Sequence, residues 1–167
     1  TASVPTTQAT LAPNLPALAD LYPKLRLVVH ATDRFVDLVQ EGFDIAVRSH
    51  FEPLPDSALL QRRAAVSPIV LLAAPAYLAR AGTPALPADL AGHDGLLVAP
   101  AATTWRLRST GGGRAAVEPR CRLAADESTV LLEAAAAGLG IAYLPASICR
   151  DALAGGRLVR VLPDWDA

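Results

Sequence analysis

Apolar residues recur along the 167-residue chain at two periods that alternate from segment to segment. Leu11, Leu15, Leu18 and Leu21 lie three or four residues apart, which predicts a helix over 11–22. Pro13 and Pro16 then belong in its first turn, where a missing N–H costs little. Residues 25–31 are apolar and β-branched, the signature of a buried strand. A helix capped by Thr32 or Asp33 is expected through Gln40, with Gly42 as its stop. Residues 44–48 read as a short strand, followed by a loop holding Pro53 and Pro55. With a strand stub over 1–4, this makes a βαβαβ half of an open parallel sheet.

A second group follows without a disordered linker. Strands are predicted over 66–73, 95–99, 140–144 and 158–162, and helices over 75–81, 128–137 and 146–154. Asp126 is the expected cap of the helix at 128–137, and Gly138 its stop. Residues 105–109 and 117–123 alternate across Gly111, Gly112 and Gly113, which predicts a hairpin. Its period of two would set Arg106, Arg108, Arg120 and Arg122 on one face, either solvated or facing an anion or a partner. The element order gives two α/β lobes joined by strands that cross between them.

Composition narrows the function classes. With 52% hydrophobic and 19% charged residues, intrinsic disorder is excluded. The net charge of −1, from 15 basic and 16 acidic residues, excludes a general binder of nucleic acid or membrane surfaces. No apolar run approaches the roughly 20 residues of a membrane span, and no basic-then-apolar leader opens the chain. The chain lacks methionine and is expected to be a fragment or a processed product. Cys121 and Cys149 sit in apolar surroundings and are expected to be buried free thiols, which fits the cytoplasm.

Enzyme chemistry finds no foothold. His30, His50 and His93 have no second ligand at metal spacing, so no metal or other cofactor is expected. Gly138-Leu139-Gly140 lacks the third glycine of a dinucleotide loop and precedes a strand, so it reads as a helix stop. Ligands of parallel sheets bind beyond the carboxyl ends of the strands. The polar residues expected there are Ser3 and Thr6, then Thr32 and Asp33, then Arg48, and Asp126 in the second lobe. Arg48 suits a bidentate carboxylate. Thr32, Asp33 and Asp126 read equally as helix caps.

Several segments in colinear order resemble the effector-binding domain of LysR-type transcriptional regulators. They are Leu21-Tyr22-Pro23, the run from Asp33 to Arg48, Pro75 to Gly82, Pro84 to His93, Trp105-Arg106-Leu107, Gly138 to Ala142, and Gly156 to Trp165. The resemblance implies an α/β, periplasmic-binding-protein-like fold of type 2, with two α/β subdomains, crossover strands and an interlobe cleft. The first subdomain would comprise 1–65 plus 161–167, incomplete at its end, and the second 66–160. Cleft contacts would come from Ser3, Val4, Thr6, Thr32, Arg48, Pro100, Trp105 and Asp126. The partners implied are a small anionic effector and a second copy. The copies would pair antiparallel through helices expected between Arg34 and Glu41 and between Ser128 and Ala137, with a tetramer open to the full-length protein. DNA would be reached only through a winged helix-turn-helix that the segment from Thr1 onwards lacks. A stand-alone solute-binding protein of the same fold is the alternative, and a small-molecule enzyme a more remote one.

Overall fold

The computed structural model describes residues 1–34, 36–50 and 57–166, so Phe35, Pro53 and Pro55 lie outside it. The chain divides into two compact units, Thr1–Ala65 and Val66–Ala167.

The first unit is built on Ala2, which bridges Ala31 on one side and Val47 on the other, both parallel. From Ser3 the chain turns helical, as α1 (Val4–Thr6), a π-helical turn over Thr7–Leu11, and α2 (Ala12–Leu21). The helix therefore begins earlier than its leucine spacing implies, and Pro16 lies inside it. Two prolines explain the π turn. Pro13 and Pro16 donate no N–H to the carbonyls four residues back, and a helix relieves such a gap by widening locally. Ala12 N–H reaches back to Thr7, five residues away, and the Asn14 side-chain amide donates to Thr10 O at 2.7 Å.

Residues 25–31 are not a buried strand. Leu25, Leu27, Val28 and Val29 are 38–67% exposed, and only Ala31 carries a bridge. A two-faced strand needs ladder partners and cover on both sides, and the described residues supply neither. The helix expected after Asp33 is likewise a single turn. Asp37 caps it, its carboxylate accepting the N–H groups of Val39 and Gln40 at 3.0 and 2.9 Å, and Gly42 closes it at φ +70°. An interface helix between Arg34 and Glu41 is thus absent from the described residues.

The second unit is a seven-stranded mixed sheet in the order β4-β3-β7-β1-β6-β2-β5. Its elements are β1 (Ile69–Ala73), α3 (Pro75–Ala81), a 3-10 turn over Pro87–Gly92, β2 (Asp94–Leu97), β3 (Trp105–Ser109), β4 (Arg114–Val117), β5 (Arg120–Ala124), α4 (Ser128–Ala136), β6 (Ile141–Pro145), α5 (Arg150–Ala154) and β7 (Val159–Asp166). Strand β1 shows why its sequence is uniformly apolar. Val70 and Leu72 enter one core with Leu96, Leu131, Leu144 and Cys149, while Leu71 and Ala73 enter another with Tyr77, Leu90, Leu97 and Trp105. Both faces are buried, so alternation disappears from the sequence.

Three expectations are corrected here. The hairpin joins β3 to β4, whereas β5 runs parallel to β2 at the opposite edge, which separates Arg120 and Arg122 from Arg106 and Arg108. Glu127 caps α4 in place of Asp126, its carboxylate accepting Thr129 N–H at 3.1 Å. Cys121 is exposed; Cys149 alone is buried, and burial pushes its thiol up to about 12. Residues 159–166 pair with β1 and β3.

The helix stop at Gly138 is a Schellman motif. Leu139 N–H bonds Ala134 O and Gly138 N–H bonds Ala135 O, with Gly138 at φ +79°.

Candidate functional site

Five of the candidate residues come together in the first unit. The double bridge at Ala2 aligns three extended segments, tied by Ala2 N–H to His30 O at 3.0 Å, Thr32 N–H to Ala2 O at 2.9 Å, and Val47 N–H to Thr1 O at 2.9 Å. Ser3, Thr32 and Arg48 each follow their bridging residue directly, so the three side chains leave from the same end of the three segments.

Ser3 acts as a helix cap. Its hydroxyl oxygen accepts Thr6 N–H at 3.4 Å and lies 2.7 Å from the Thr6 hydroxyl, and its carbonyl accepts Thr7 N–H at 2.9 Å. Pro5 has no N–H to satisfy. Val4 N–H goes to the Asp33 carboxylate at 3.3 Å. Asp33 therefore holds the start of the other helical run, 29 residues away, a role that sequence order does not signal. Thr32 accepts Arg34 N–H on its hydroxyl at 3.2 Å.

Arg48 is half-buried and ties these segments together. One guanidinium nitrogen donates to Thr32 O at 2.7 Å, and another to the Thr1 hydroxyl at 3.2 Å and Arg34 O at 3.4 Å. All three acceptors are neutral, so its charge is oriented without being neutralised by a carboxylate among the described residues. Nearby, Arg34 and Glu41 form a two-pronged pair at 2.9 and 2.6 Å. Its hydrogen bonds hold the Glu41 carboxyl below its usual range.

The other three candidates lie in the second unit. Pro100 is exposed in the turn after β2, and Asp126 is exposed in the bend between β5 and α4. These two segments are neighbours. Leu97 pairs with Ala124 in parallel, and Ala125 N–H donates to Leu97 O at 2.9 Å, so both leave the carboxyl end of the sheet side by side. Trp105 is different. It is 5% exposed and its ring packs 5.6 Å from that of Tyr143 within a core cluster. Tyr143 donates its hydroxyl to Arg106 O at 2.7 Å, and burial, followed by the Asp166 charge, pushes it up to about 12. Tyr143 went unnoticed in the sequence because β6 and β3 are three places apart in strand order.

No group of three or more His, Cys, Asp or Glu side chains is placed to hold a metal ion among the described residues. His93 is buried against Tyr77, with Nδ1 3.1 Å from its hydroxyl, and that hydroxyl accepts Asp94 N–H.

Residues 1–167 match the family described as the LysR substrate binding domain. An uncharacterised HTH-type transcriptional regulator of Haemophilus influenzae is 34% identical over 160 residues, covering 93% of this chain and 54% of its own length. The HTH-type transcriptional regulator DmlR of Escherichia coli K12 is 32% identical over 158 residues, with coverages of 93% and 50%. Among solved structures, CrgA, a LysR-type transcriptional regulator from Neisseria meningitidis, matches with a TM-score of 0.85 at 27% identity, over 99% of this chain and 56% of that one. The chain spans about half the length of the curated relatives it matches.

Proposed function

Because this chain belongs to the LysR substrate-binding domain family, we propose that it is the effector-sensing and dimerisation part of a bacterial DNA-binding regulator. Its fold is the α/β, type 2 periplasmic-binding-protein-like class of that family. The effector is a small anionic metabolite. Its differential affinity for two conformations of the domain changes how the DNA-binding parts are spaced. The domain does no chemistry of its own and works in the cytoplasm. It pairs with a second copy using α4, and higher assembly and DNA contact belong to the longer protein.

The observation that carries this reading is Arg48. Its guanidinium is fixed by three neutral oxygens beside Ser3, Thr6 and Thr32, so an anion meets a cation already oriented and hydroxyls already gathered. A thermal-shift screen of small carboxylates should yield at least one ligand that raises the melting temperature in proportion to the logarithm of its concentration. Arg48→Ala should weaken that ligand about tenfold or more. Unchanged affinity in the variant would remove Arg48 from the role.

A further inference from the structure

Several arginines of this chain have partners. Arg34, Arg120 and Arg157 pair with Glu41, Asp94 and Glu133, and Arg80 donates to Gly138 O and lies over the Tyr77 ring. Arg106, Arg108 and Arg114 are exposed, and their guanidinium groups have no hydrogen-bond or ion-pair partner among the described residues. These three stand together on one face of the β3–β4 hairpin.

Register makes the cluster tight. Arg108 sits directly opposite Arg114, and Arg106 opposite Ala116. Arg106 and Arg108 are about 7 Å apart along β3, two residues at roughly 3.3 Å each. Trp105, Leu107 and Val117 turn the other way, into the core. Like charges placed directly across two strands are unfavourable. Glu118 is engaged by the Thr104 hydroxyl, and Asp166, opposite Arg108 in β7, forms no ion pair with it. Protecting an edge strand from unwanted pairing needs a charge or two, and here a third is added with two of them opposed.

We propose that this face docks an extended acidic segment of a partner protein, with carboxylates at alternate positions. Strand β4 ends the sheet order and has no second ladder partner, and the 3-10 turn over Pro87–Gly92 packs against it. A strand laid along it presents every second side chain to the arginine face. Ala116 carries only a methyl group opposite Arg106, so the long arginine stem has room to reach across β4 to the edge. Arginine suits carboxylates bidentately. A duplex is the poorer occupant. Three arginines on one short hairpin neutralise few phosphates, whereas they match a short segment with carboxylates at alternate positions.

The test uses this chain and a synthetic peptide alternating Glu with Val or Thr, a control of the same composition with its glutamates in one block, and a DNA duplex. The alternating peptide should bind saturably and lose about tenfold or more of its affinity in Arg108→Gln/Arg114→Gln, and a similar factor between 20 and 300 mM salt, as expected for charge-assisted contacts. The double variant should melt no lower than the parent, since it removes opposed charges, which separates lost binding from lost folding. Four results would each overturn the proposal: absence of saturable binding, equal binding by the double variant, equal binding of the blocked peptide, or preference for the duplex.

Discussion

Gly140 shows how much a single missing atom decides. A Cβ built there would lie 2.5 Å from the backbone oxygen of Asp94, an atom fixed in β2, so something must shift. Gly140→Ala should cost about 1–3 kcal/mol in a thermal melt. Gly92→Ala meets nothing within 4 Å at an ordinary φ and should change stability by only a few tenths of a kcal/mol. Cys149 supplies a second residue-scale expectation, through pH. Burial raises its folded-state value to about 12 from 9.0, so the folded state favours the protonated thiol. That contribution is intact below pH 9 and is lost progressively as pH rises towards 12. Denaturant midpoints measured across this window should fall, and less steeply in Cys149→Ala once each is referred to its own midpoint at pH 8.

At the scale of elements, α4 separates two assignments that differ by one position. Asp126 is the better cap by residue type, yet Glu127 holds Thr129 N–H and the Thr129 hydroxyl, both at 3.1 Å. Glu127→Ala should lower stability by about 1 kcal/mol, and Asp126→Ala should leave it nearly unchanged. Equal losses in chemical denaturation would return the cap to Asp126. The same contrast shows what the sequence discloses. Pro75–Ala81 was legible to the residue, since proline starts it and Gly82 stops it, both local signals. The partner of 120–124 was not legible. Alternation fixes which side chains share a face but not which strand lies alongside, and that choice was made by the parallel pairing of β2 with β5. In the candidate site, Ser3, Thr32 and Arg48 were legible as residues following strand ends. Asp33 at Val4 N–H was not, because 29 residues separate donor from acceptor.

Across the whole molecule the two units differ in how much they bury. Among the described residues of Thr1–Ala65 only Ala2 is buried, whereas the second unit carries two core clusters, one on each face of its sheet. Local opening free energy follows buried apolar contact. Native-state hydrogen exchange should therefore find the amides of the first unit exchanging earliest, and those of β1 and β6 latest. Equal protection in both units would show that the first gains stability by some route other than its own core. The family pattern was read from segments in both units, so recognition did not depend on which of them is well packed.

Strand β7 follows β1 to β6 in sequence but lies between β3 and β1 in the sheet. Until it is in place, the β3–β4 hairpin has no ladder to β1, β6, β2 and β5, and the sheet exists as two pieces. During synthesis those pieces can join only after residues 159–166 have left the ribosome, and until then a chaperone acting on the nascent chain would meet unpaired edges on β3 and β1.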